Sequence, residues 1–325
     1  MKAIDKNQIA LIGLTASKKL TKSISKCLDI PETQLTISHF ADGETMVRSE
    51  EPLRNRHIMV VQSTSKPVNE NVMELLIAID SFKRASAKSI NIIIPYYGYA
   101  RQDRKTSGRE PITSKLVAKL LESAGATRVA ILDVHSEQAQ GFFDIPMDTL
   151  PSLYLVMKEV LKTCDIKNTV IVSPDYGGVK RARKIGESYK MPIAILDKRR
   201  PKVNCAEIVN ILGDVKDKNC IIFDDIIDTG GTIIAACRAL RANGAKKIIV
   251  AATHGLFSRD AKDNLNKAVE DGVISKIYVT NSIEGVYDIG IKNLHIIDLA
   301  AYLSKVIKIY MGNGGDSISK MYEKE

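Results

Sequence analysis

The sequence predicts an α/β fold made of two tandem related domains, residues 1–150 and 151–325, each a mainly parallel sheet flanked by helices. Three observations predict it. Short β-branched runs alternate with amphipathic stretches, the pattern of parallel strands joined by crossover helices. The 325 residues exceed the roughly 100–200 of a typical single domain. The segment Leu116–His135 also recurs in the second half as Ala235–His254.

In the first half the apolar runs His57–Gln62, Ile90–Pro95 and Arg128–Val134 read as strands, and the amphipathic stretches Asn69–Ser86 and Thr113–Ala124 between them read as helices. In the second half Thr169–Val172, Ile193–Leu196, Cys220–Phe223 and Lys247–Ala251 read as strands, and Val179–Tyr189 and Thr232–Asn243 as helices. The repeat keeps a constant offset of 119, with Leu121 on Leu240, Gly125-Ala126 on Gly244-Ala245 and His135 on His254. Upstream, Ile92-Ile93-Ile94 meets Ile221-Ile222-Phe223 only at an offset of 129, so the first copy carries ten more residues between strand and helix. The long polar loop Tyr96–Glu110 is accordingly taken as the altered counterpart of a short ligand loop in the second half.

With 45% hydrophobic and 26% charged residues the chain is of the ordinary globular class. Five scattered cysteines without a CxxC pair read as reduced thiols. The N-terminus shows neither a signal-peptide pattern nor an Arg-rich presequence, so a cytoplasmic location is expected. No apolar stretch approaches the roughly 20 residues of a membrane span, and no membrane partner is expected. The net charge of +9 suits phosphorylated small molecules; without a long basic stripe, a Trp or finger spacing, nucleic acid is not an expected partner.

The short loop of the second half carries the sharpest signal. An apolar strand, Cys220–Phe223, ends in Asp224-Asp225, and after Asp228 the run Thr229-Gly230-Gly231-Thr232 opens a helix. Two glycines allow positive φ and close backbone approach, so successive N–H groups can converge on a phosphate at a helix N-terminus. The two carboxylates cannot favour phosphate; they can accept from vicinal sugar hydroxyls or hold a divalent ion. A Gly-Gly turn alone is a common strand–helix connection, but all these parts in one window fit a ribose phosphate. No Walker A pattern occurs, so a nucleotide must be held in another way.

This window resembles the loop shared by type I phosphoribosyltransferases and ribose-phosphate diphosphokinases. Other blocks decide between them: Phe40 to Glu44 (FADGE), Gln62 to Ser65 (QSTS), Ile94 to Lys105 (IPYYGYARQDRK), Asp133-Val134-His135, Val172-Ser173-Pro174-Asp175 and Asp197-Lys198-Arg199-Arg200-Pro201. From about residue 36 to 310 the chain resembles the ribose-phosphate diphosphokinase family, in its phosphate-activated class. That resemblance implies domains of the type I phosphoribosyltransferase-like fold. It also implies transfer of the β,γ-diphosphoryl group of MgATP to the C1 hydroxyl of ribose 5-phosphate. A phosphoribosyltransferase and a non-catalytic regulatory subunit are the rival readings.

The resemblance also implies roles. Lys198 and Arg200 would stabilise the transition state, and an extended chain through Pro201 would put them on one face. Asp42, Gly43, Glu44, Arg101 and Gln102 would meet ATP. Asp224, Asp225, Asp228, Thr229, Gly230, Gly231 and Thr232 would hold ribose 5-phosphate. His135 and Asp175, at strand ends where ligands collect in open parallel sheets, would lie near Mg²⁺; Asp175 suits that hard ion, whereas His135 serves equally as a phosphate donor. Dimers assembled into a homohexamer would follow. His39, His57 and His295 are taken as structural, and Lys180–Lys184 as a solvated helix face. Thr106-Ser107-Gly108-Arg109-Glu110-Pro111 departs from the family's Arg-Ser-Arg-Glu-Pro run, and the segment 312–322 departs as well. Both regions serve regulation in the family.

Overall fold

The structure, a computed structural model, describes residues 4–202, 205–312 and 317–322, and between 198 and 209 the backbone alone. In chain order the first half runs β1 (Ile9–Gly13), α1 (Lys18–Leu28), β2 (Leu35–His39), β3 (Thr45–Ser49), β4 (His57–Val61), α2 (Val68–Arg84), β5 (Ser89–Ile94), α3 (Thr113–Ala124), β6 (Arg128–Leu132), β7 (Met147–Leu150) and α4 (Leu153–Leu161). The second half runs β8 (Thr169–Ser173), α5 (Val179–Tyr189), β9 (Ile193–Lys202), β10 (Cys205–Leu212), β11 (Asn219–Ile227), α6 (Gly231–Ala242), β12 (Lys247–Gly255), α7 (Ala261–Glu270), β13 (Lys276–Thr280), β14 (Leu294–Ile297) and α8 (Ala300–Tyr310). Every strand and helix expected from the sequence is present.

The chain divides into two compact units. The first holds Met1–Pro151, Ser282–Glu284 and Asp298–Glu323; the second holds Ser152–Asn281 and Gly285–Ile297. In the first unit five parallel strands lie in the order β1-β4-β5-β6-β7, and β2–β3 form a separate antiparallel hairpin. Its core packs Leu75, Ile79 and Phe82 of α2 and Val117 and Leu121 of α3 with Ile58, Val60, Ile92 and Ile94. Strands covered on both faces read as continuous apolar runs, as in Ile9 to Ile12. The second unit has the order β10-β9-β8-β11-β12-β13-β14, with only β10 antiparallel. There Val156, Met157 and Val160 of α4 and Ile185 of α5 pack with Ile171, Ile221 and Ile249.

The halves are related, but not in the phase expected from the offset of 119. Both run strand, helix, antiparallel hairpin, strand, helix, strand, helix, strand, strand, helix. That order places β1 on β8, β4 on β11, β5 on β12, β6 on β13 and β7 on β14. The sheet order β1-β4-β5-β6-β7 then becomes β8-β11-β12-β13-β14. The offset of 119 instead set α3 on α6 and β6 on β12, and that of 129 set β5 on β11, one strand–helix unit out of step. The cause is local: every such unit ends its helix, turns and enters an apolar strand in a similar way, so any two units align. Hydrogen-bond order identifies the partners. The counterpart of the turn after β11 is therefore residues 62–67 after β4, and not Tyr96–Glu110.

The last helix of each half is grouped with the other half's unit: α4 with the second and α8 with the first. In the first unit α8 packs on α1. Its final residue, Tyr310, donates its Oη to Asp148 Oδ2 at 2.6 Å. The same oxygen accepts from Arg128 Nη1 at 2.7 Å, and the guanidinium lies 5.0 Å from the Tyr310 ring centroid.

Candidate active site

In the second unit, β11 does not stop at Phe223 as expected; it pairs with β12 as far as Ile227–Gly255. Its pairing with β8 ends at Ile222–Val172. Asp224 and Asp225 therefore lie on a stretch of β11 beyond its last β8 partner. There Arg181, from the first turns of α5, donates Nη1 to Asp224 Oδ1 at 2.9 Å, and its Nη2 lies 3.5 Å from Asp225 Oδ1. Asp224 Oδ1 also accepts from the Asp225 amide at 2.9 Å. Burial, and then the adjoining Asp225, push the Asp224 carboxyl up to about 7, against the opposing charge of Arg181. Arg181 belongs to the cluster read from sequence as solvated, and that expectation is corrected: two carboxylates on the neighbouring strand turn it inward.

The turn that follows is built on glycine. Gly230, at φ +77° and ψ −12°, caps α6 in the left-handed region. The first amides of a helix have no carbonyl partner within it, so those of Gly231, Thr232 and Ile233 open towards this turn. Thr229 and Thr232 are exposed. Charge separation along the helix favours an anion here.

β8 and β11 are parallel neighbours, so the loop after β8 opens on the same edge of the sheet. It holds Asp175, exposed, whose Oδ1 accepts from the Gly178 amide at 3.0 Å, while Ser173 Oγ donates to the Asp175 carbonyl at 2.7 Å. β9, the other neighbour of β8, runs on past Leu196 and pairs antiparallel with β10, Lys198 opposite Ile208 and Arg199 opposite Glu207. The chain is thus extended through 198–200; the side chains of Lys198 and Arg200 lie outside the described residues.

In the first unit Asp42, Gly43 and Glu44 form the exposed tip of the β2–β3 hairpin. Gly43 has φ +94°, Asp42 Oδ1 accepts from the Glu44 amide at 3.1 Å, and Phe40 beside them is 58% exposed. Arg101 and Gln102 stand in the loop between β5 and α3, Gln102 Oε1 accepting from Thr113 Oγ1 at 2.6 Å. β6 ends at Leu132, short of the expected Val134, and Asp133 turns the chain at φ 35° before the exposed His135. Since β5 and β6 are parallel, Arg101, Gln102 and His135 belong to loops at one edge of that sheet. His135 lies in the first unit and Asp175 in the second. No group of three His, Cys, Asp or Glu poised for a metal forms among the described residues.

The counterpart of the phosphate turn in the first unit is closed by the protein itself. Gln62, Ser63, Thr64 and Ser65 are all buried. Glu74 Oε1 accepts from the Thr15 amide at 2.8 Å and from Gln62 Nε2 at 3.1 Å, and Gln62 Oε1 accepts from the Ala16 amide at 3.1 Å. The backbone amides of the segment itself are also taken within the protein, Gln62 donating to the Ile93 carbonyl at 3.1 Å, Ser63 to Ser17 Oγ at 2.9 Å and Thr64 to the Tyr96 carbonyl at 2.8 Å, so these are not offered to an external anion. The altered segment after the RQDRK block also closes on itself. The amides and hydroxyls of Thr106 and Ser107 all donate to the Glu110 carboxylate, holding it down at about 2.

A family model described as the N-terminal domain of ribose phosphate pyrophosphokinase matches residues 9–125, and one described as the phosphoribosyl synthetase-associated domain matches 198–323. A ribose-phosphate pyrophosphokinase of Mycoplasma genitalium is 50% identical over 322 residues, covering 99% of this chain and 96% of the relative. The chain belongs to the ribose-phosphate pyrophosphokinase family. A further member, ribose-phosphate pyrophosphokinase 1 of Listeria innocua, is 48% identical over 97% of this chain and 98% of its own. Among solved structures, the phosphoribosylpyrophosphate synthetase of Mycobacterium smegmatis superimposes with a TM-score of 0.87 at 39% identity, covering 94% of this chain and 99% of that one. This membership agrees with two related α/β units in one pyrophosphokinase chain. Among the described residues no helix is long and apolar enough to cross a membrane.

Proposed function

We propose that the chain transfers the β,γ-diphosphoryl group of MgATP to the C1 hydroxyl of ribose 5-phosphate, giving 5-phosphoribosyl 1-diphosphate and AMP. The observation that carries this, beside family membership, is the turn of amide donors opening α6 directly after two carboxylates on β11. Thr229, Gly230, Gly231 and Thr232 hold the 5-phosphate, and Asp224, Asp225 and Asp228 serve the sugar, the first two accepting from the ribose hydroxyls. Asp42, Gly43, Glu44, Arg101 and Gln102 hold ATP. Lys198 and Arg200 place positive charge on the group in transfer; in phosphoryl transfer most of the catalysis is positioning and charge stabilisation of this kind.

The chemistry of Asp175 fits Mg²⁺: an exposed carboxylate on a pinned turn is an oxygen ligand, and this ion keeps waters and substrate phosphates rather than a full protein cage. Asp175 would hold it; His135 would serve as a metal ligand or as a donor to phosphate. When bound, the ion supplies neutralisation of the phosphate oxygens of ATP. The same reading gives dimers assembled into a homohexamer, which sedimentation would test, and a cytoplasmic location.

Purified protein incubated with ATP, Mg²⁺ and ribose 5-phosphate is expected to release AMP in step with the sugar consumed; absence of AMP at every phosphate concentration refutes the function. Lys198→Ala is expected to lower kcat far more than it raises KM, and a pure KM effect refutes its role.

A further inference from the structure

Resting on the pentose-phosphate reading above, we propose that Arg181 is a positioning residue: its guanidinium gathers Asp224 and Asp225 so that both carboxylates meet one sugar. Consecutive residues of an extended strand send their side chains to opposite faces. Asp224 and Asp225 are consecutive residues of β11, yet oxygens of both lie at a single guanidinium, Nη1 at 2.9 Å and Nη2 at 3.5 Å. The planar fork meets the two carboxylates with two separate nitrogens in fixed geometry, which a single ammonium reproduces only in part.

The fold makes room for the fork. β8 stops pairing with β11 at Ile222, so the edge of β11 at 224–225 is open to α5 instead of to a strand. α5 begins at Val179, directly after the turn that Asp175 and Gly178 close, and it carries Arg181 in its first turn. The guanidinium also lies 6.0 Å from the Phe223 ring centroid. Asp225 is nearly buried and the side chains of Arg181 and Asp224 are largely covered, so these ion pairs are less screened than surface ones. Two adjacent carboxylates so placed repel each other, and Arg181 offsets that repulsion before any sugar arrives. Nothing in the mechanism above requires Arg181 to touch the substrate; it acts through the two carboxylates.

The test uses the full chain with Arg181→Ala and Arg181→Lys, measuring kcat, KM for each substrate, ribose 5-phosphate binding by equilibrium dialysis, and melting temperature. Loss of a hydrogen bond to a charged group predicts that Arg181→Ala weakens ribose 5-phosphate by roughly tenfold to hundredfold, with KM for ATP within about twofold. Arg181→Lys is expected to recover part of the loss. Ribose 5-phosphate affinity within about twofold of the parent overturns the proposal. So does a common shift of both KM values with a lowered melting temperature and no advantage of Lys over Ala. If the parent chain forms no AMP, the proposed function fails, and dialysis still decides whether Arg181 governs sugar binding.

Discussion

Replacing Gly230 with alanine probes the phosphate turn through its backbone. Gly230 sits at φ +77°, where an L-residue pays roughly 1–2 kcal/mol. A Cβ there would stand 3.3 Å from Leu265 Cγ and 3.4 Å from Cδ2, and Leu265 is fully buried in α7, so the neighbour must yield as well. Together these cost about 1–3 kcal/mol, or about 2–4 °C for each kcal/mol in a domain of this size. Gly231 is the control. It has no positive φ, and its added Cβ meets nothing nearer than Thr229 Oγ1 at 3.9 Å. Gly231→Ala is expected to melt with the parent while losing ribose 5-phosphate affinity, because the methyl obstructs ligand approach and not folding. Calorimetry of the intact chain, with sugar binding by dialysis, separates the two. Gly230→Ala melting with the parent, or Gly231→Ala melting as low as Gly230→Ala, would refute the reasoning.

Two further outcomes are expected. The Asp224 carboxyl is raised from 3.8 to about 7 by burial and by Asp225, so through that window the unfolded chain has lost a proton the folded chain keeps, and stability falls as pH rises. Asp224→Asn should therefore melt above the parent at pH 8, with the gap closing towards pH 4, while sugar affinity is lost; a lower melting temperature at pH 8 contradicts this. Tyr310→Phe removes the donor to Asp148 and should cost about 1–2 kcal/mol at pH 7. Burial, reinforced by Asp148, raises the Tyr310 phenol above its ordinary 10, so its contribution is present below pH 10 and lost above it. The gap between parent and Tyr310→Phe should narrow in alkali, and equal melting at pH 7 would count against the clasp.

Much of the fold was legible because parallel strands and their helices announce themselves locally: Ile92 to Ile94 is apolar throughout, and Thr113–Ala124 is amphipathic. The phosphate turn was legible for the same reason, since all its parts fall between Cys220 and Thr232. What escaped depends on partners distant in sequence. Arg181 looks like its neighbours Lys180 and Arg183 until β11 is placed beside α5. The extension of β9 past Leu196 depends on β10, which lacks an uninterrupted apolar run to announce it. The phase of the repeat was misread because local similarity carries no information on hydrogen-bond order. With the phase corrected, the first unit's version of the turn is a segment whose amides at Gln62, Ser63 and Thr64 are already taken by Ile93, Ser17 and Tyr96.

The grouping of α8 with the first unit has a consequence for how the protein is made. The strands of that unit leave the ribosome before the second unit is synthesised, whereas α8, which packs on α1 and buries Leu303, Val306 and Ile307, emerges only after the strands of the second unit. At roughly 5–20 residues per second, the intervening stretch takes about ten to thirty seconds. During that interval the nascent first unit lacks α8 and the Tyr310–Asp148 contact, and offers an apolar face to chaperones or to other nascent chains. A premature stop before residue 300 would therefore damage the beginning of the chain, and a fragment ending at residue 150 would not be a finished domain.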